Sequence, residues 1–423
     1  MDQRKTGVRG EISRRAFLQG SALAGFGAFL AACTGGAQSP SAPASIAVPT
    51  PPPVSPSPSV APSPTPKPIP TGPLEWATWE AYIDLVGKAA EAQKYAPGSS
   101  PTIEQFKKKY SVDVDYVEKI NDNEEFFATL QAPFVSGLPT GWDLIVMTDW
   151  MAAQLISKGW IEQIDQSNVP NCVANLRDAL RNQPWDAKND FHYPWQSGMT
   201  GIGFNTKTLK AVNKPEPKSL KDLYALPANK ITFLTESRDT FGLGLLKLGK
   251  SADPAQTTAD DLQAVHDDIK PLTEKGLRFT GNDYLQDFAA KKVYAAMVWS
   301  GDLASSGTEG DTFVFPEEGV MVWTDNMMIP KGAKNKYTAE LMMNFVYDPK
   351  IAAQIENYVY YVCPVNGAED ILKALNKSAP LDSYHLNLLF PPADIVAKQH
   401  NFQFLTPDLD KSLKELFLDL QGK

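Results

Sequence analysis

The chain reads as an α/β protein built mainly on parallel strands, and three observations predict it. Asp143-Leu144-Ile145-Val146-Met147 carries a continuous apolar run of the type buried on both faces of a parallel sheet. Ile231-Thr232-Phe233-Leu234 repeats that run just ahead of a helical pattern. Elsewhere short apolar runs alternate with helical periodicity, as strand–helix units do. Residues 74–423 are long enough for one large domain or two lobes. A chain that is 43% hydrophobic and 10% aromatic can fill such a core.

Taken in order, Ser100-Pro101 opens a helix, with serine as cap and proline in the first turn. That helix runs through Ile103, Phe106 and Tyr110. A strand over 112–117 follows. The acidic stretch 121–125 reads as a solvated or structural loop. The strand over 143–147 leads into a helix over 150–159 that stops on glycine. The strand over 231–234 leads into a helix over 238–249. Further buried strands are expected over 293–299 and 320–329. In open sheets of this class, ligands sit at the carboxyl ends of the strands.

The first 73 residues carry different information. Ser13-Arg14-Arg15-Ala16-Phe17-Leu18 is a twin-arginine export signal. An apolar run over 22–30 follows, too short for a membrane span of ~20 residues. It closes on Leu30-Ala31-Ala32-Cys33, a lipoprotein cleavage pattern. We expect a signal peptide over 1–32, lipidation of Cys33, and attachment to the outer face of the cytoplasmic membrane by that lipid alone. Residues 33–73 are rich in Pro, Ser and Ala and read as an extended tether.

Charge and motif content narrow the function classes. The net charge is −9, and residues 1–32 hold five basic against two acidic side chains, so the exported part is more acidic still. That disfavours nucleic acid and anionic membrane surfaces and permits a cationic ligand. Beyond Cys33 only Cys172 and Cys363 remain, and a disulfide and two free thiols both stay open. His192, His266, His385 and His400 show no ligand spacing, and no HExxH, CxxC, P-loop or GxSxG occurs. The glycines from Gly198 to Gly203 lack the spacing of a nucleotide loop. No catalytic constellation, metal site or cofactor is expected.

Just past the strand ends, aromatic residues recur beside acids. Trp79-Glu80-Ala81-Tyr82 follows the first strand, and Thr148-Asp149-Trp150 follows the strand over 143–147. Glu236-Ser237-Arg238-Asp239 follows 231–234, Trp299-Ser300-Gly301-Asp302 follows 293–298, and Trp323-Thr324-Asp325 lies within 320–329. Tyr360-Tyr361 comes later. An acid after a strand is often a helix cap, and Asp149 and Asp302 also read that way. As a set, these residues suit an extended organic cation. Ring faces attract ammonium groups at ~0.5–2 kcal/mol each, and carboxylates add charge-assisted hydrogen bonds.

The segments that carry these pairs, with Ile120-Asn121-Asp122-Asn123-Glu124-Glu125-Phe126-Phe127 and Pro194-Trp195-Gln196-Ser197-Gly198-Met199-Thr200-Gly201-Ile202, resemble the substrate-binding lipoproteins of spermidine/putrescine ABC transporters. The resemblance covers nearly all of residues 74–423. It implies a two-lobed type II periplasmic-binding-protein fold, each lobe a mostly parallel sheet flanked by helices, joined by crossover hinge strands. Lobe 1 would take 74–197 and 324–423, and lobe 2 would take 198–323, with the hinge near 195–200 and Trp323. It further implies that Asp325 pairs with an amine beside the Trp323 platform. Trp299 is a second flanking ring, and Asp239 an acid at the start of the second-lobe helix. Tyr82 and Tyr361 match aromatic positions, and Trp150 stands where the family usually has tyrosine. Glu80 sits one residue earlier than in the best-known polyamine binders, and Glu236–Asp239 reads one residue shorter.

The resemblance implies a monomeric capture protein that delivers a polyamine to an ABC permease in the cytoplasmic membrane. The expected ligand residues are Trp79, Glu80, Tyr82, Thr148, Asp149, Trp150, Glu236, Asp239, Trp299, Asp302, Trp323, Asp325 and Tyr361. Competing readings are a same-fold receptor for ferric iron or thiamine, a secreted hydrolase, and a sensing adaptor without transport.

Overall fold

The structure, a computed structural model, describes residues 67–86, 94–96, 98–306, 308–377 and 381–423. The export signal, Cys33 and most of the tether lie outside the described residues. Thr71, placed in the tether by sequence, is already tied to the folded body. Its N–H donates to Thr338 Oγ1 at 3.0 Å, and its hydroxyl to Asn335 Oδ1 at 2.7 Å.

Ten strands form a single sheet. β1 (Leu74–Trp79), β2 (Val114–Ile120) and β3 (Leu144–Thr148) pair in parallel in the order β2-β1-β3. β4 (His192–Asn205) then leaves this set. β5 (Ile231–Leu234), β6 (Arg278–Thr280) and β7 (Ala295–Trp299) form a second parallel set, in the order β7-β5-β6. β8 (Asp311–Val314) adds to β4. β9 (Val320–Met328) returns to the first set, and β10 (Gln399–His400) lies beside it. β4 and β9 pair antiparallel with each other; β9 also pairs antiparallel with β3, and β4 with β7. The order across the sheet is β2-β1-β3-β9-β4-β7-β5-β6. Pairing is thus parallel within each set and antiparallel where the two long strands join them.

Local chemistry sets the element ends. Ser100 Oγ accepts the N–H of Ile103 at 3.3 Å and starts helix Pro101–Tyr110, which left-handed Ser111 closes. Every residue of β3 is buried, as its apolar run predicts, and so is every residue of β4, which carries no such run. Within β4, a Cβ at Gly198 would lie 2.4 Å from the Trp323 ring. The glycine-rich stretch is therefore a crossover strand whose missing side chain makes room for an indole.

Two placements differ from the sequence expectation. The stretch 121–125 is not a solvated loop: Asp122 caps helix Asn123–Ser136, and Oδ1 of that carboxyl accepts Glu124 N at 2.8 Å and Glu125 N at 3.0 Å. Phe126, Leu130 and Phe134 bury one face of this helix. Second, helix Pro407–Leu420, assigned by sequence to the same lobe as 74–197, packs on helices Ser237–Lys247 and Ala259–Thr273. Its buried stripe of Leu409, Leu413, Phe417 and Leu420 drives that docking. Phe417 lies 5.0 Å from Phe279 and 6.2 Å from Phe241 between ring centroids.

Cys172 and Cys363 are both buried free thiols, and burial pushes both well above the ordinary thiol range. Among the described residues, no helix is long and apolar enough to cross a membrane.

Candidate functional site

The carboxyl ends of β1, β3, β5 and β7 converge on one cavity. Trp79 ends β1, Thr148 ends β3, Trp299 ends β7, and Glu236 and Asp239 follow β5. Trp323 and Asp325 enter from β9, and Asp302 lies in the short helix Ser300–Ser305. Tyr361 enters just past helix Pro349–Val359, whose end Tyr360 turns in the left-handed region. These residues surround about 460 Å³ of space not filled by atoms, open solvent included. Most of the lining is nearly sealed from solvent: Asp325 is 4% exposed, Asp302 6% and Tyr82 3%.

Eleven of the thirteen sequence-derived ligand residues line the cavity: Trp79, Glu80, Tyr82, Thr148, Glu236, Asp239, Trp299, Asp302, Trp323, Asp325 and Tyr361. Asp149 and Trp150 do not. Thr148 faces in, and the helix Asp149–Ser157 that follows turns each next side chain by about 100°. Asp149 therefore meets Asn326, whose Nδ2 donates to it at 2.9 Å. Trp150 lies under the Arg238 guanidinium, 3.6 Å from the ring centroid.

Four of the five inward carboxyl groups, Asp325, Asp302, Asp239 and Glu236, are held by donors from neighbouring elements. Asp325 pairs in register with Thr148 across β9 and β3. It accepts the Thr148 hydroxyl at 2.7 Å and the Tyr82 hydroxyl at 2.7 Å, one on each oxygen. Asp302 accepts the hydroxyls of Tyr284 and Tyr361. Asp239 Oδ2 accepts the Trp299 indole N–H at 3.2 Å, while Asp239 Oδ1 is buried with no partner among the described residues. The rings interlock, two pairs edge to face and the third tilted. Trp79 and Trp299 stand 5.9 Å apart, Tyr82 and Tyr361 5.2 Å, and Trp323 and Tyr361 5.5 Å.

Burial dominates the electrostatics. It lifts Asp325 to about 7 and Asp302 and Asp239 to about 6, although their hydrogen-bond donors oppose the rise. Glu236 is raised by burial and by Asp122 and Asp239 beside it. Glu80, the least buried of the set, is raised by partial burial and by Glu118 and Asp283. Asp149, outside the cavity, is lifted to about 7 by burial. The cavity therefore gathers five carboxyl groups, none of them in a salt bridge among the described residues.

The sequence did not single out Arg238, Asn282 and Gln403, which complete the lining. Arg238 is the one cation in the lining among the described residues; its Nε and Nη2 are engaged outward, while Nη1 is buried with no partner. It pairs with Asp410, donates Nε–H to Gln403 O at 3.1 Å and stacks on Trp150. Its place beside Asp239 was visible in the sequence; Asn282 and Gln403 stand in irregular segments with no local signal. Among the described residues, no group of three His, Cys, Asp or Glu side chains is arranged to hold a metal ion.

A family model for bacterial extracellular solute-binding proteins matches residues 102–370. The chain belongs to that family. Among curated solute-binding proteins, it is 30% identical over 274 residues to the spermidine/putrescine-binding periplasmic protein of Escherichia coli, covering 64% of this chain and 75% of that protein. It is 28% identical over 301 residues to spermidine/putrescine-binding periplasmic protein 1 of Haemophilus influenzae, covering 70% of this chain and 79% of that protein. Among solved structures, a putative spermidine/putrescine ABC transporter protein from Listeria monocytogenes superposes with a TM-score of 0.67 at 24% identity. That match covers 83% of this chain and 98% of the other, and it shows a shared fold. As a member of this family the chain is an extracytoplasmic solute-binding protein.

Proposed function

We propose that the solute is a polyamine, and that this protein captures it for an ABC importer. One observation carries the reading: five carboxyl groups and five aromatic side chains line one cavity, and the one cation in that lining among the described residues, Arg238, is salt-bridged to Asp410. A slender chain with two or more ammonium groups matches that lining. Alkyl amines stay charged well above neutral pH, as lysine does at ~10.4. Each ammonium offers charge-assisted hydrogen bonds to Asp325, Asp239 or Glu236, and the indoles cover the methylenes between them. The curated relatives named for spermidine and putrescine support the same ligand class.

Residues 74–197 with most of 324–396 form one lobe in this reading, and 198–323 with helix Pro407–Leu420 form the other. β4 and β9 are the hinge. The closed form traps the ligand, and the size of the shift towards closure equals the ligand's preference for that state. The protein acts as a monomeric receptor and not as an enzyme, and it presents the closed form to the permease. The twin-arginine signal and Cys33 support export and lipid anchoring at the outer face of the cytoplasmic membrane, where the tether holds the receptor near its permease.

Calorimetric titration with putrescine, spermidine, spermine, thiamine and ferric citrate tests the assignment. Saturable heat with a polyamine and none with thiamine or ferric citrate is the expected result. Binding of thiamine or iron in place of every polyamine would overturn it.

A further inference from the structure

Asn123 touches two of the cavity's acids, one directly and one through a single hydroxyl, without lining the cavity. It opens helix Asn123–Ser136 and is 1% exposed. Its backbone N–H and its Nδ2 both donate to Glu236 Oε1 at 2.9 Å. Nδ2 also donates to Thr148 Oγ1 at 2.8 Å, and Oδ1 accepts the Thr148 N–H at 3.1 Å. The Thr148 hydroxyl donates to Asp325 Oδ1 at 2.7 Å.

Donor counting fixes the direction of this chain. The Thr148 N–H can only donate, so Asn123 must turn its carbonyl towards it and its amide away. The Thr148 hydroxyl has one proton. Giving it to Asp325 obliges Thr148 Oγ1 to accept from Asn123. Both Nδ2 hydrogens are then used, one on Glu236 and one on Thr148. Both Nδ2 hydrogens and the Thr148 hydroxyl thus run towards a carboxylate, and the positive end of the helix faces Glu236 as well.

The two acids come from different strand sets. Glu236 follows β5, whereas Asp325 and Thr148 lie on β9 and β3. Two residues before Asn123, Asn121 Oδ1 accepts the N–H of Asn282, another cavity residue of the second set, at 3.1 Å. Helix capping does not explain Asn123, because the Asp122 side chain already performs it.

We propose that Asn123 is a positioning residue that locks Glu236 and Asp325 into one charged unit across the two halves of the cleft. This rests on the proposed cationic ligand. Asn123 keeps both acids in the form a diamine recognises and sets the distance between them. Asn123→Asp, nearly isosteric, turns a donor into an acceptor against Glu236. The groups facing Glu236 are Asp122, Asp239 and Arg238, and none of them changes in the variants below.

Putrescine and spermidine titrations from pH 5.5 to 8.5 test the relay, with Asn123→Ala, Asn123→Asp and Glu236→Gln in a double-mutant cycle. Asn123→Ala is expected to weaken binding about tenfold at pH 8. It should also move the acid fall-off in affinity to higher pH, because Glu236 loses its side-chain donor and keeps only the backbone N–H. In the Glu236→Gln background the same change should cost less than about threefold. Equal costs in both backgrounds, or a loss that is uniform with pH, would overturn the relay. A ligand-free arm follows the Glu236 carboxyl carbon by NMR, where Asn123→Ala should raise the titration midpoint and an unmoved midpoint counts against the proposal. If Asn123→Asp fails to fold, Thr148→Val breaks the next link and should shift Asp325 upward in the same experiment. Wild-type protein that binds no polyamine would overturn the ligand assignment and leave the NMR arm to judge the relay.

Discussion

Tyr82 and Asp325 lie 243 residues apart in sequence, and the Tyr82 hydroxyl donates to Asp325 Oδ2 at 2.7 Å inside the cavity. With Thr148 on the other oxygen, Asp325 is oriented before any ligand arrives. Its remaining lone pairs are free for an ammonium group, and among the described residues no protein cation pairs with it.

Asp325→Asn should therefore weaken polyamine binding by at least ~2 kcal/mol, about thirtyfold, because a desolvated ammonium loses its charged partner. Calorimetry at pH 8 measures it. An unchanged titration curve would remove Asp325 from the ligand site.

Binding should release protons near neutral pH. Asp325 near 7, and Asp239 and Asp302 near 6, are partly protonated at pH 6.5 in the empty cavity. An adjacent ammonium favours the carboxylate and drives those protons off. The observed enthalpy should then vary with the ionisation enthalpy of the buffer at pH 6.5 and hardly at all at pH 8.5. Enthalpies that match in every buffer at pH 6.5 contradict this.

The same acids set a signed effect on ligand-free stability. A carboxyl whose folded value is raised contributes fully below its unfolded value near 3.8 and loses that contribution as pH climbs through its folded value, here about 7 for Asp325. Asp325→Asn should consequently gain thermal stability relative to wild type as pH rises from 4 to 8. Melting curves across that range read the difference. A constant offset between the two proteins would show that Asp325 does not titrate in that window.

Gly198→Ala places a methyl group 2.4 Å from the Trp323 ring. Overpacking of this kind costs about 1–3 kcal/mol, and here it also displaces a cavity wall. A lower melting temperature should accompany a shift in tryptophan emission and weaker polyamine binding. Wild-type affinity in this variant would show that Trp323 can move without loss.

Much of the architecture was legible because burial leaves periodic traces. The apolar runs at 143–147 and 231–234 became β3 and β5 almost to the residue. The acid–aromatic pairs after strands met in one cavity because parallel strands end on the same side. Helix Asn123–Ser136 escaped notice because its first turn reads as polar. Yet Asp122 as cap, acids in the first turn, and Phe126, Leu130 and Phe134 four apart were its signature. Asp149 and Trp150 could not be separated from Thr148 by sequence, since only the helix start decides which of three consecutive side chains looks inward. Gln403 and Asn282 were beyond reach, because their positions depend on chain returning from far away.

The docking of helix Pro407–Leu420 has a consequence for biosynthesis. Neither half of the molecule is an uninterrupted stretch of polypeptide. During synthesis β3 is complete at residue 148, yet its antiparallel neighbour β9 begins only at residue 320. A nascent chain must carry that open strand edge through some 170 further residues, which at about 5–20 residues per second amounts to many seconds of exposure. The last helix arrives later still, so the receptor becomes whole only once residues 407–420 have left the ribosome.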